Sequence, residues 1–269
     1  MPLLPHSSTL HSVPFWGGLP LLAVAFFMGK FLPPSRSWGW LLTLGVTNTT
    51  LGLAGMFLSV GAIGAAIPGV VANIQALFVA PFAALFFGEA LTRNRVAGLL
   101  LGTAGVALII LGSGTDLGDM DGASLGLMAT VGLTTGNLVI KHIGSWVDAL
   151  TATAWQYVLG GLMVLGSSLM IEDTSKVVWS PHFVAGLLFL GLVGSALASW
   201  VWYRLVSKGE LISLNGLTLL TPAFALVLAL LIFREPVSTL SMLGIAMVLG
   251  GVAWVGWTVR PEPVKAETC

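Results

Sequence analysis

Nine apolar segments of roughly 20 residues follow one another along this chain and constrain its fold more than any other feature. A helix rises about 1.5 Å per residue, so about 20 apolar residues cross the roughly 30 Å of bilayer hydrocarbon. The turns between the segments are short and charged, and they leave no room for a soluble domain. The pattern predicts an all-α polytopic membrane helix bundle with transmembrane helices at residues 13–32, 39–59, 65–87, 95–113, 123–141, 150–171, 183–204, 212–233 and 238–258.

The composition excludes several other classes of protein. Hydrophobic residues make up 56% of the chain and charged residues only 8%, whereas soluble domains carry about 25% charged residues. Eleven basic and eleven acidic residues leave no basic excess to meet phosphates, so we expect no nucleic-acid partner. A transmembrane β-barrel is disfavoured, because its strands alternate polar and apolar residues and this chain has unbroken apolar runs.

The predicted spans contain neither histidine nor cysteine. Cys269 is the single cysteine, and the sequence contains neither H-E-x-x-H nor G-x-S-x-G. We therefore expect no metal, no cofactor and no enzyme activity. The four histidines lie in loops or tails, at His6, His11, His142 and His182.

The basic residues predict the orientation, because cytoplasmic loops carry an excess of lysine and arginine. With the N-terminus outside and the C-terminus in the cytoplasm, only Lys176 and Arg234 lie in outside loops. The cytoplasmic loops and tail then hold Lys30, Arg36, Arg93, Arg95, Lys141, Arg204, Lys208, Arg260 and Lys265. The expected location is the plasma or inner membrane.

The chain contains an internal repeat in which residues 41–110 align without a gap with residues 187–256, at an offset of 146. Each copy spans an odd number of helices, so the two copies have opposite orientations, as in many secondary transporters. The predicted units are a first repeat at 1–113, a second repeat at 122–259 and a cytoplasmic tail at 260–269. The matched positions include Phe87-Gly88-Glu89 with Phe233-Arg234-Glu235, Gly98 with Gly244, and Gly105 with Gly251.

The second copy has five helices, but the first has only four. The partner of the helix at 123–141 would lie before Met1 in this register. We expect an in-frame apolar segment of about 20 residues upstream of Met1. A misassigned start and a real truncation both stay open.

These features resemble the EamA-type transporters of the drug/metabolite transporter superfamily. The resemblance rests on a helix ending in Gly88-Glu89, on its counterpart ending in Glu235, and on Thr153-Ala-Trp-Gln156 followed by Gly160-Gly161. It implies ten helices in two inverted five-helix repeats. The chain departs from the family pattern in lacking the first helix, which normally lines the transport cavity, in having Ala76 for the usual proline with Pro81 five residues on, and in having Arg234 for glycine.

Polar side chains inside hydrocarbon cost free energy unless they are paired, so they are our candidates for a solute path. Several recur at helical spacing and therefore share one helix face. Proline in mid-helix adds a free backbone carbonyl. The candidate substrate path comprises Asn48, Gln75, Thr130, Thr134, Asn137, Ser195, Ser199, Asn215, Thr218 and Pro222.

Structural alternatives exist for these candidates. The threonine hydroxyls can bond to their own helix, and Lys141, on the face of Asn137, can reach the interface instead of the path. Ser195 and Ser199 can serve close helix packing. Trp202 is equally typical of an aromatic belt, and Gln156 ranks below the others.

Glu89 and Glu235 end their helices, where the helix dipole disfavours a carboxylate. We interpret them as structural loop carboxylates in ion pairs or caps, with Arg93 and Arg95 near Glu89 and with Arg234 beside Glu235.

The two helices at 95–113 and 238–258 each carry several glycines and have almost no polar atoms. We expect these helices to stand outside the path. Their glycines allow close backbone approach, either within the chain or between the subunits of a homodimer.

The combined hypothesis is a secondary transporter that exports small metabolites by alternating access, with membrane lipid as its surroundings. No Asp or Glu falls inside a predicted span, so a neutral or zwitterionic solute such as an amino acid or drug-like metabolite is favoured. The alternatives are a structural or assembly protein of the membrane and a truncated, inactive transporter.

The topology can be tested through Cys269. A membrane-impermeant maleimide is expected to leave Cys269 unlabelled in intact cells and to label it in inside-out vesicles, because the basic loops place the C-terminus in the cytoplasm. Ready labelling from outside intact cells would contradict the orientation.

Overall fold

The computed structural model describes residues 13–56, 58–59, 66–112, 120–171, 180–228, 230–231 and 238–257. Within these ranges every regular element is helical, which confirms the all-α bundle. The predicted tail, Glu235 and Cys269 lie outside the described residues. The helical segments are α1 Val13–Phe27, α2 Trp38–Leu44 continued by Gly45–Ala54, α3 Ala66–Phe87, α4 Arg93–Gly112, α5 Met120–Ile143, α6 Ala149–Ile171, α7 Pro181–Phe189 continued by Leu190–Leu197 and Ala198–Lys208, α8 Leu211–Thr218 with Leu220–Leu228, and α9 Thr239–Trp257.

The outer surface of the bundle suits lipid. Many large apolar side chains are exposed on this surface, and Phe27, Leu85 and Leu231 are 70–86% exposed. A surface in contact with water rarely carries so much exposed apolar area. The chain is therefore an integral membrane protein with several spans. Five described stretches are long and apolar enough to cross a membrane, namely Arg93–Gly112, Ala149–Ser167, Val184–Lys208, Leu211–Leu228 and Thr239–Trp257, and shorter apolar helices cover Gly17–Phe27 and Asn73–Phe87.

Helix α1 ends five residues before its predicted boundary at residue 32. Gly29 has a φ of +68°, a left-handed conformation that glycine adopts without steric cost. The Lys30 amide donates to the Ala25 carbonyl (2.8 Å) and the Gly29 amide to the Phe26 carbonyl (3.1 Å), which is the hydrogen-bond pattern of a glycine C-cap. The apolar run thus continues past the helix into the loop.

The internal repeat appears in the packing of the helices. Helices α1 to α4 correspond to α6 to α9, and the π-helical stretches Gly45–Ala54 and Leu190–Leu197 fall at equivalent positions. At one crossing, a Cβ on Gly17 of α1 would lie 2.6 Å from the carbonyl oxygen of Gly191 in α7. At the equivalent crossing, a Cβ on Gly160 of α6 would lie 2.5 Å from the carbonyl oxygen of Gly45 in α2.

A second symmetric crossing joins α4 to α9. A Cβ on Gly105 would lie 2.6 Å from the Gly244 carbonyl oxygen, and a Cβ on Gly251 would lie 2.5 Å from that of Gly98. The glycine faces of both helices are thus filled by each other within one chain. A homodimer through these helices stays a prediction, and it would have to use their outer faces.

Four connecting segments, with most of the basic residues in them or close beside them, meet at one end of the bundle, which we call the basic end. They follow α1, α3, α5 and α7, at residues 28–37, 88–92, 144–148 and 209–210. Lys30 forms an ion pair with Asp148 (2.7 Å), and the Arg36 guanidinium lies 4.4 Å from the Trp146 ring centroid. Partial burial raises the pKa of Asp148, but hydrogen bonds from Lys30 and from the Leu150 amide outweigh this effect and leave the pKa below its usual value.

The crossing of α4 and α9 predicts a contrast between two Gly→Ala variants. Gly105→Ala should destabilise the detergent-solubilised protein by about 1–3 kcal/mol, because the new methyl overlaps the Gly244 backbone. Gly166→Ala in α6 is the matched control, since nothing lies within 4 Å of its new Cβ and alanine favours a helix. Thermal unfolding measures both variants, and equal midpoints for them would contradict the packing.

Candidate functional site

Three amide side chains meet between the two repeats, and we call Gln75, which is half-buried, and Asn137 and Asn215, which are buried, the amide cluster. Asn215 Oδ1 accepts hydrogen bonds from Asn137 Nδ2 (3.1 Å) and from Gln75 Nε2 (3.3 Å). Asn215 Nδ2 donates to the Leu211 carbonyl (3.0 Å) of its own helix, and Trp202 Nε1 donates to Asn137 Oδ1 (2.9 Å). The cluster joins α3 of the first repeat to α5, α7 and α8 of the second.

Asn137 and Asn215 are almost fully buried, at 3% and 1% exposed. An amide in hydrocarbon is costly unless it is hydrogen-bonded, and these side chains satisfy one another. Every partner in the cluster is neutral, so the site offers amide donors and acceptors without a fixed charge.

Helix α8 is interrupted just beyond the cluster, between Thr218 and Leu220. Pro222 has no N–H for the Thr218 carbonyl, four residues earlier, which accounts for the break. Thr218 Oγ1 donates to the Asn215 carbonyl (2.7 Å), so this hydroxyl serves its own helix. By contrast, α3 continues through Pro81 without a break.

A second group of polar contacts, the tyrosine cluster, joins α2, α6 and α7. Gln156 Nε2 donates to Thr49 Oγ1 (2.8 Å), and the Tyr157 hydroxyl is hydrogen-bonded to Ser199 Oγ (2.7 Å). The same hydroxyl donates to the Ser195 carbonyl (3.4 Å). Two of the predicted path residues, Ser195 and Ser199, are therefore partners of a buried tyrosine.

The remaining path candidates either contact neighbouring helices or their own helix, or have a buried polar atom without a hydrogen-bond partner among the described residues. Thr130 Oγ1 donates to the Gly126 carbonyl (3.0 Å) of its own helix, as in the structural alternative. Asn48 packs against α5, because a Cβ added to Gly136 would lie 2.7 Å from the Cβ of Asn48. The Thr134 hydroxyl is buried and has no hydrogen-bond partner within the described part of the chain.

Trp202 and Gln156 make buried contacts that the sequence alone does not reveal. Trp202 also fits an aromatic belt, yet its indole N–H bonds to the amide cluster. Gln156 is fully buried, although we ranked it below the other candidates. The spacing of Trp202 from Ser195 and Ser199, on one helix face, was the available signal.

The carboxylate of Glu89 lies at the basic end and binds a helix of the other repeat. Its Oε1 accepts from the Leu211 amide (2.7 Å) and its Oε2 from the Ile212 amide (2.9 Å). Lys141 Nζ lies 3.9 Å from Glu89 Oε1 and donates to the Gly209 carbonyl. We call Glu89, Lys141 and the first turn of α8 the carboxylate latch.

Of the two roles expected for Glu89, an ion pair or a cap, the structure shows Glu89 capping α8, and Arg95 does not pair with it. Arg95 is buried and pairs through NH2 with Glu210 Oε2 (2.8 Å), while its NH1 donates to the Ala90 carbonyl (2.9 Å). The positive N-terminal end of α8, rather than an arginine, compensates the charge of the Glu89 carboxylate.

Two apolar grooves among the described residues lie away from both clusters. One of about 400 Å³ runs along α9 beside Asn94 and Trp254, and one of about 150 Å³ lies between α8 and α9 beside Leu226 and Met242. Neither is lined by a predicted path residue. The expected central cavity stays a prediction.

Comparison with known proteins places the chain among transporters. The sequence model of a family described as "EamA-like transporter family" matches residues 8–111 and 120–257. A chloroplastic WAT1-related protein of Arabidopsis thaliana is 30% identical over 250 residues, covering 89% of this chain and 60% of that protein. An uncharacterized transporter of Synechocystis is 31% identical over 252 residues, covering 85% of this chain and 75% of the relative.

Two further comparisons concern the name of a relative and the fold. A protein of Escherichia coli named "Probable amino-acid metabolite efflux pump" is 27% identical over 259 residues, covering 90% of this chain and 86% of that protein. A solved crystal structure superposes with a TM-score of 0.79 at 18% identity, covering 95% of this chain and 89% of the other, and it supports the fold alone. The family and these names point to a small-molecule transporter rather than an enzyme.

The tyrosine cluster predicts coupling between two conservative substitutions. Tyr157→Phe and Ser199→Ala each remove one side of the 2.7 Å bond and should each cost about 0.5–1.5 kcal/mol of stability. The double variant should cost less than the sum of the two, because both lose the same bond. Unfolding in detergent measures the cycle, and strict additivity would contradict the contact.

Proposed function

Because this chain belongs to the EamA-like transporter family, we propose that it exports small neutral or zwitterionic metabolites by alternating access, with the amide cluster as the solute-binding site. The observation that carries the proposal is the meeting of Gln75, Asn137 and Asn215 between the repeats. Inverted repeats bind their solute near the midplane, where the two halves meet.

The chemistry of the amide cluster suits a solute with both donors and acceptors. Each amide carries one acceptor oxygen and two donor hydrogens, so the three can exchange their mutual bonds for bonds to an ammonium and a carboxylate. The charged residues of the carboxylate latch lie at the basic end, a helical turn or more from the cluster. A solute with a large net charge would therefore meet no counter-charge at the site.

The proposed direction and location rest on two supports. One E. coli relative is named an amino-acid metabolite efflux pump, which favours export of amino-acid-like solutes. The basic end carries the loops that the positive-inside rule places in the cytoplasm. We place the chain in the cell membrane with its C-terminus in the cytoplasm.

Flux measurements in proteoliposomes test the proposal. Purified protein is reconstituted, and uptake of radiolabelled L-threonine, L-homoserine, L-glutamate and L-lysine is compared with that of empty liposomes. We expect flux of the two neutral amino acids and little flux of the two charged ones. Flux of the charged pair alone, or no flux of any solute, would count against the proposal.

Two variants test the site itself. Asn215→Leu and Gln75→Leu should lower the apparent affinity roughly 2–13-fold, since one hydrogen bond to solute is worth about 0.5–1.5 kcal/mol. Phe224→Leu is the control on α8, because Phe224 is an apolar side chain of the same helix that is 62% exposed. Wild-type flux in both cluster variants, or an equal loss in the control, would refute the site assignment.

A further inference from the structure

We propose that Glu89 is a positioning residue for the amide cluster and that the carboxylate latch is the gate at the basic end of the solute path. The inference rests on the proposed transport function. The geometry shows one carboxylate of the first repeat holding the first turn of the helix that carries Asn215.

The first element of the argument is the strength of the latch. The first amides of a helix lack partners within the helix, and the helix dipole makes this end positive. Glu89 satisfies two of these amides at 2.7 and 2.9 Å, and its side chain is only 7% exposed. Hydrogen bonds to an ionised group are stronger than neutral ones, particularly where water is excluded.

The second element is the short connection between the latch and the amide cluster. Leu211 donates its amide to Glu89, and its carbonyl accepts from Asn215 Nδ2. A single residue therefore stands between the gate carboxylate and the central amide of the proposed site.

Helix α5 adds a second connection between the latch and the amide cluster. Lys141 contacts Glu89 and the Gly209 carbonyl, and Asn137, four residues earlier on the same helix, donates to Asn215. Helices α3, α5 and α8 are thus joined once at the latch and once at the cluster. A solute that displaces Gln75 and Asn137 from Asn215 loosens one of the two ties and favours release of the other.

The two ends of the repeat differ in charge. In the repeat register, Arg95 corresponds to Ser241 and Glu210 to Gly64, so the sequence has no counterpart of the Arg95–Glu210 pair at these two positions. The Arg95–Glu210 pair and the carboxylate latch both close the basic end in the described structure, and we infer that the chain rests with this end closed.

Accessibility of a buried cysteine tests the gate without any solute. Thr134→Cys in a Cys269→Ser background places the only cysteine beside Asn137, where the native side chain is 4% exposed. A membrane-impermeant methanethiosulfonate is applied to inside-out vesicles, in which the basic end faces the bath. A separate Lys208→Cys variant verifies that the reagent reaches this end.

Glu89→Gln should raise the labelling rate of this cysteine about tenfold, which corresponds to about 1.4 kcal/mol of lost closure. Asp148→Asn is the matched control, because it removes a carboxylate at the same end that pairs with Lys30 and does not contact α8. An unchanged rate in Glu89→Gln, or an equal rise in Asp148→Asn, would overturn the gate.

Lys141→Met provides a second test if Glu89→Gln does not insert, since it leaves the cap of α8 in place. We expect the labelling rate to rise about threefold, and no rise would overturn the proposal.

The coupling between solute and gate is tested with 10 mM L-threonine, which should speed labelling in the wild-type background and have no further effect in Glu89→Gln. A labelling rise in Glu89→Gln without L-threonine flux would refute the proposed solute and keep the gate, whereas flux with an unchanged rate would refute the gate alone.

Discussion

Hydrocarbon provides no hydrogen-bond partners, so a polar group inside this bundle costs free energy unless it finds a partner within the protein. The amide cluster, the tyrosine cluster (through Gln156 and Thr49) and the carboxylate latch are three responses to this constraint, and each joins helices of both repeats. Polar residues that are remote in sequence thereby fix how the two halves meet. The same constraint makes these contacts exchangeable, because a solute with matching donors and acceptors can replace them without exposing an unpaired group.

Backbone contact supplies the other half of the architecture. At the glycine crossings, carbonyl oxygens of one helix occupy the space that a side chain would need on the other. Without a hydrophobic driving force between helices in lipid, such close packing contributes much of their association. The crossings occur in equivalent pairs, so the two repeats pack their helices in the same way. The polar contacts that the described residues make are, by contrast, not repeated in this way.

The sequence predicted the spans well because hydropathy depends only on local composition, and the helices fall at all nine predicted places within the described ranges. It predicted the boundary of α1 poorly, since Gly29 ends a helix inside an apolar run. Side-chain partners were harder. Glu89 could be recognised as a carboxylate needing an ion pair or a cap, but its partner, the first turn of α8, is 122 residues away and became evident only once the helices were placed. The contacts of Trp202 and Gln156 likewise depend on how the helices are placed.

The paired π-helical stretches have a mechanical consequence. A π turn holds about one residue more than an α turn, and one residue corresponds to about 100° of rotation about the helix axis. If Leu190–Leu197 tightened by one residue, the part of α7 that carries Ser199 and Trp202 would swivel relative to Pro181–Phe189. The backbone would stay hydrogen-bonded throughout, as lipid requires. Helices α2 and α7 thus each contain a π-helical stretch at an equivalent position of the repeat, and rotation there would redirect the polar side chains beyond it.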